Sequence, residues 1–177
     1  FWTHNTPITN NNYSGSDYAI YNFMGGTVGG VPTGAATNPG LNTAIPNGNI
    51  ASGQGFFIKG LSNAVATFRN SMRIAGNNNQ FFRTSSEVSP SAVIEKHRYW
   101  LDISNTQGAF KQVLIGYADE ATLGLDRLFD AEMVDVGTAI TLYTMVDDTK
   151  LTIQGRPTFE ENDNVPLGYK STVVGSY

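Results

Sequence analysis

The chain contains no cysteine, which excludes thiol nucleophiles and thiolate-held metals. At 177 residues it can bury a core without disulfides, so the absence says little about compartment. Histidine is almost missing too. His4 and His97 are too few for a His-rich metal site, and His97, ahead of Arg98 at a strand start, reads as structural. Charge is scarce: 15% of residues, against roughly 25% in an average soluble domain. Fifteen acids against eleven bases give −4, with no basic patch for nucleic acid and no polybasic segment for a membrane surface. No apolar run approaches the ~20 residues that cross a bilayer, so no membrane span is expected. There is no starting Met and no signal peptide. Phe1-Trp2-Thr3-His4 and Gly175-Ser176-Tyr177 read as interior sequence, and the chain is expected to have been cut from a longer one, truncated at its C-terminus.

Glycine, at 19 residues, is plentiful, and Asn, Ser and Thr recur throughout. These residues punctuate chains and favour strands and turns over helices. The clearest element is a hairpin over residues 97–118. Tyr99, Leu101 and Ile103 alternate with Trp100, Asp102 and Ser104, the two-residue period of a strand. Asn105-Thr106-Gln107-Gly108 supplies a turn, and Phe110 to Tyr117 a second strand. Apolar groups on both faces from Val113 to Ile115 place this pair near the middle of a sheet.

Around that hairpin the pattern is of many short strands. Phe1–His4 and Tyr18–Phe23 read as strands, separated by an Asn-rich loop. Residues 24–49, dominated by Gly, Thr, Asn and Pro, read as a long surface excursion. Gln54–Gly60 and Ala64–Arg69 suggest a hairpin across Leu61-Ser62-Asn63, Ser71–Ile74 continues extended, and Gln80–Arg83 is a short strand. Residues 84–95 are polar linker, the strongest internal boundary. Asp119–Glu132 alone has helical character, with Leu125, Leu128 and Phe129 at helical spacing and Asp119 as candidate cap; Gly124 limits it to a turn or two. Ala139–Val146 and Leu151–Gln154 flank a turn at Asp147-Asp148. Arg156–Phe159 and Val165–Lys170 each carry a Pro that suits an edge, and Thr172–Tyr177 begins another strand. The expectation is an all-β fold: one or more antiparallel β-sandwiches with long Gly/Asn-rich loops and at most one or two helical turns. The divisions are an N-terminal β region, 1–95, and a β-sandwich region, 96–177, which can pack as one unit.

Ile50–Lys59 (IASGQGFFIK), Asn70-Ser71-Met72-Arg73, Asn77–Arg83 (NNNQFFR), Gln107–Gln112, Leu123–Arg127, Ile153–Arg156 and Val165–Thr172 together look like the conserved region of a family of secreted surface proteins from the Bacteroidetes. In that family the motifs adjoin a type C C-terminal sorting region read by the type IX secretion system. Each motif alone is weak; their order over roughly residues 50 to 175 is specific. The resemblance implies export by the type IX machinery and display at the cell surface or release, often within large adhesin-like proteins. It carries over no catalytic residue.

Among the residues that could bear chemistry, the acidic group Asp119, Glu120, Asp126, Asp130, Glu132 and Asp135 could bind calcium through carboxylate oxygens. Asp119, Asp126, Asp130 and Glu132 are the candidate ligands. The spacing matches no regular calcium loop, and a solvated acidic loop with Arg127 as partner is the plainer reading. Asp147-Asp148 and Glu160-Glu161-Asn162-Asp163 read as solubilising turns. No Ser sits in a nucleophile elbow, and no acid pair is singled out at the ~5–10 Å separation of a glycosidase. Gly25-Gly26 to Gly29-Gly30 lacks the Lys-Ser/Thr and helix of a phosphate loop. Trp2, Tyr13, Tyr18, Tyr21, Trp100, Tyr117 and Tyr143 could stack on sugars, but read first as core and edge fillers. The function expected is a non-enzymatic exported surface module, in adhesion or as a structural element of a surface assembly. Its sheet edges would be completed by neighbouring domains or subunits through strand addition. Carbohydrate binding, or an accessory role in a secreted glycoside hydrolase acting on surface glycans, is the alternative.

Overall fold

The structure is a computed structural model describing residues 2–4, 18–29, 45–50, 52–53, 55–60, 63, 65–75, 97–105, 109–135 and 138–177. It is all-β, and the described strands form two sheets. In the first, β1 (Trp2–His4), β2 (Tyr18–Asn22) and β3 (Gly25–Thr27) pair antiparallel in that order. The second has six strands: β4 (Arg98–Ser104), β5 (Phe110–Tyr117), β6 (Ala131–Glu132), β7 (Ile140–Val146), β8 (Thr149–Arg156) and β9 (Leu167–Ser171). Its spatial order is β4-β5-β8-β7-β9, with β6 also on β8.

The hairpin at 97–118 forms in a register from Arg98 opposite Gly116 to Ser104 opposite Phe110. Its two strands fare differently. The Val113–Ile115 run makes β5 central, and every residue from Lys111 to Tyr117 is buried. Among the described strands β4 ends the order of the sheet, an edge and not a middle strand. Its side toward the core carries Arg98 and Trp100; Tyr99 is the exposed one.

Among the described strands every pairing is antiparallel except one. β8 lies parallel to β5, from Leu114 opposite Ile153 to Tyr117 opposite Arg156. Parallel neighbours need a crossover of a dozen or more residues, supplied by residues 118–148. β7 and β8 meet at the two-residue turn Asp147-Asp148, where Asp147 takes φ 50°, a left-handed geometry that Asp tolerates.

β2 and β3 lie on the β5/β8 part of the large sheet, and Ile20 and Met24 join Leu114, Ala121, Phe129 and Ile153 in one core. This contact is the part of the sandwich expectation that the packing carries, and it joins residues from both sides of the 95/96 boundary. Polar bonds fix it. Trp100 Nε1 donates to Gly26 O at 2.9 Å, Arg98 to Met24 O at 3.1 Å, and Val28 N–H to Gln112 Oε1 at 3.2 Å. Met24 and Thr27 are fully buried, so residues 24–27 belong to the core and not to a surface excursion; residues 30–44 lie outside the described ones.

Several other expectations are corrected. Among the described residues 55–60 and 65–69 there is no strand beyond a single bridge at Phe57, because strand propensity is realised only against a partner. Asn70–Met72 is one 3-10 turn instead of extended chain. Residues 118–130 are turns with no helix, β8 ends at Arg156, and 172–177 adds no strand. The expectations at 5–17, 77–83 and 84–95 lie outside the described residues.

Candidate functional site

The turns from Ala118 to Asp130 are stitched by carboxylates. Asp126 Oδ2 accepts the Thr122 N–H at 2.5 Å, Asp130 Oδ2 accepts the Asp126 N–H at 2.6 Å, and Asp130 Oδ1 accepts the Gly155 N–H of β8 at 2.9 Å. Side chains that take backbone donors in this way compete with the helical ladder, which is why the Leu125, Leu128, Phe129 spacing gives no helix. Only Phe129 of the three is buried. Asn22 ties this loop to the small sheet: its Nδ2 donates to Phe129 O at 2.7 Å and its Oδ1 accepts the Met24 N–H at 2.8 Å.

Three of the four other acids are likewise occupied. Asp119 accepts from the Thr158 hydroxyl at 3.0 Å, Asp135 from Thr138 at 2.8 Å, and Glu132 pairs with Lys59 at 2.5 Å. Glu120 is exposed. The structure does not gather Asp119, Asp126, Asp130 and Glu132 around one point, and among the described residues no three His, Asp or Glu converge on a metal position. A calcium ion would need oxygens that backbone N–H groups already hold.

Beside this loop is a cleft of ≈170 Å³. Ile20, Tyr21 and Asn22 of β2 form one wall, Ile58 and Lys59 a second, and Leu125 to Arg127 with Asp130 to Glu132 the third. Burial pushes the Asp130 carboxyl up to about 6, against the two N–H bonds that hold it down. The arrangement joins an apolar lining to both signs of charge, with the Lys59–Glu132 pair between two of its walls.

A second constellation was not legible from the residues alone. Arg156 is buried at the end of β8 and forms a two-pronged pair with Asp163, with Nε to Oδ2 at 2.5 Å and Nη2 to Oδ1. The Tyr117 hydroxyl donates to Asp163 Oδ2 at 2.9 Å. The Arg156 hydrogen bonds hold the Asp163 carboxyl below its ordinary range, and they raise the guanidinium in turn. Burial pushes the Tyr117 hydroxyl well up. Around it Phe159 meets Tyr117 edge-on at 5.0 Å and stacks on the exposed His97 at 5.3 Å. Residues 157–166 are thereby strapped to the large sheet. Asp163 thus does more than solubilise a turn; an Arg closing the alternating run Leu151 to Arg156 was the available signal.

Trp100 packs against the core, Tyr117 is buried, and Tyr143 lies under the Lys150 ammonium at 4.5 Å. Tyr13 is outside the described residues. Among the described residues no helix is long and apolar enough to cross a membrane.

These features define an all-β protein in which the described small sheet packs on the large one around one core, and in which Asp126, Asp130 and Asp163 tie loops to the fold. The chain belongs to the family described as a domain of unknown function, DUF8693, whose model matches residues 1–177. No curated protein and no solved structure matches it.

Proposed function

We propose that this chain is a non-enzymatic, exported cell-surface module, acting in adhesion or as a structural element of a surface assembly, and that it joins its neighbours by strand addition at β9. The observation that carries this reading is the contrast between the two ends of the large sheet. The odd residues of β4 bond to β5, since Tyr117 N–H donates to His97 O and Asn105 N–H to Ala109 O. The outward backbone groups of β4 therefore belong to Arg98, Trp100, Asp102 and Ser104, where two charged side chains protect the edge.

At β9, Thr172 N–H donates to Ala139 O and Met145 N–H to Pro166 O. That phase turns Gly168 and Lys170 toward β7 and leaves the backbone groups of Leu167, Tyr169 and Ser171 outward. Leu167 is 51% and Tyr169 70% exposed, and among the described residues no strand lies beyond them. An open apolar edge is a template for a strand of another chain or domain. The ordered motifs of residues 50 to 175 support the export part of the reading, through the type IX machinery.

Light scattering over a range of concentrations tests this. At an ionic strength that cuts the Debye length to a few Å the chain should associate, and Tyr169→Pro, which deletes an outward donor without removing a β7 bond, should weaken that association at least tenfold. Unchanged association in that variant, or a monomer in the parent chain, would overturn the assignment to β9. A second reading, glycan binding, is favoured by the cleft, where Tyr21 and Asn22 face Arg127 and Lys59; saturable binding on a glycan array, lost in Asn22→Ala, would favour it.

A further inference from the structure

Acidic and basic side chains are divided along the chain. Residues 18–86 contain no Asp or Glu and carry Lys59, Arg69, Arg73 and Arg83; residues 119–163 carry eleven carboxylates against Arg127, Lys150 and Arg156. Each half also presents apolar groups to water. In the first, Val65, Phe68, Met72 and Ile74 are all at least 62% exposed, interleaved with exposed Arg69 and Arg73. In the second, Leu123, Leu125 and Leu128 are at least 52% exposed beside Asp119 and Glu120.

The segment at 65–74 is ordered by its own contacts. Met72 N–H donates to Arg69 O at 3.0 Å, Arg73 N–H to Asn70 O at 3.1 Å, and the Phe68 ring meets Phe56 edge-on at 6.1 Å. Four large apolar side chains on one short segment exceed the scattered exposure normal at a surface. Within one molecule the two halves form one described ion pair, Lys59 with Glu132. Among the described residues the other charges of the two surfaces meet only groups of their own half, as Arg73 does Asn70 and Asp119 does Thr158, and Arg69, Arg73, Asp119 and Glu120 remain exposed with the apolar groups.

We propose that the apolar, basic surface at residues 65–74 docks on the apolar, acidic surface at residues 119–128 of a second copy of this chain, head to tail. Charge of opposite sign selects the orientation, and the apolar groups supply the area removed from water. The two surfaces are different, so each copy keeps one of each free and the contact propagates into a ring or a filament. The inference goes beyond strand addition at β9 and shares with it only that the chain assembles.

The test uses the 177-residue chain carrying Tyr169→Pro, so that association through β9 is blocked and its failure leaves that reading standing. Light scattering at low ionic strength should show association, weakened about tenfold when salt is raised until the Debye length falls to a few Å. Arg69→Glu with Arg73→Glu, and separately Glu120→Lys with Leu123→Lys, should each give monomers. An equimolar mixture of the two, in which one intact surface of each kind remains, should give one-to-one dimers and nothing larger. If the acidic-side variant does not fold, the basic-side variant is titrated into the parent chain instead. It should act as a chain terminator and lower the average mass. A monomer at low ionic strength, salt-insensitive association, a mixture that stays monomeric, or a titration that leaves the mass unchanged would each overturn the proposal.

Discussion

Asp130 and Asp163 both bond to β8, and their surroundings drive them in opposite directions. Asp130 is desolvated, and its carboxyl titrates near 6, so the folded chain holds that proton more tightly than the unfolded one. Between about pH 4 and pH 6 this group makes the fold more stable as pH falls. Asp163 is held below its ordinary range by Arg156. Its contribution is present above the ordinary carboxylate range and is lost as pH falls through its lowered value. Asp130→Asn should flatten the rise in stability from pH 6 toward pH 4, as read by denaturant midpoints, at a cost of about 1–3 kcal/mol, because the Nδ2 that replaces one carboxylate oxygen faces a backbone N–H donor. A steeper rise in the variant would mean that Asp130 is ionised throughout. Asp163→Asn leaves Arg156 buried without its counter-charge and should cost about 3 kcal/mol near neutrality. Tyr117→Phe, which removes one hydrogen bond to the same carboxylate, should cost about 1 kcal/mol. Equal losses from the two would show that the ion pair adds nothing beyond the hydroxyl.

The two central strands carry a notch that neither strand shows alone. Gly116 of β5 and Gly155 of β8 are register partners. A Cβ on Gly116 would stand 2.4 Å from Met24 Cε, and one on Gly155 would stand 2.3 Å from Phe129 Cβ. Paired glycines thus open the sheet face to the residues that hold the small sheet and the acidic loop against it. Gly155→Ala meets the rigid root of Phe129 and should cost about 2–3 kcal/mol. Gly116→Ala meets the free end of a Met side chain and should cost no more than about 1 kcal/mol; thermal midpoints of the two variants give the comparison. This also marks what could be read from the residues. Val113 to Ile115 identified β5 as central, and the alternation from Tyr99 identified β4, because both signals are local. The edge position of β4, the parallel β5–β8 pairing and the Gly116–Gly155 notch depend on partners remote in sequence. β8 misleads in a different way. Leu151, Ile153 and Gly155 alternate with Thr152, Gln154 and Arg156, which suggests one wet face, yet all six are buried. Among the described residues the Thr152 hydroxyl and the Gln154 side-chain carbonyl have no hydrogen-bond partner.

Across the whole molecule the decisive contact is between the small sheet and the large one. Ile20 and Met24 are in the same core as Leu114 and Ile153, and Arg98, Trp100 and Gln112 bond to the backbone of residues 24–28. Burying Met24 removes from water a side chain worth about 2 kcal/mol, and it does so only while both sheets are formed. Neither sheet keeps that contribution alone, so residues 18–29 and 97–171 should unfold together. Calorimetry should show one transition whose calorimetric and van't Hoff enthalpies agree. Met24→Ala should lower that single midpoint, with a loss of about 2–4 kcal/mol, and should leave no residual folded fraction of the large sheet above it. Two separated transitions in the parent chain, with Met24→Ala shifting only the lower one, would show instead that the boundary near residue 95 divides two independent folding units. The small sheet would then be a cover on a large sheet that stands without it.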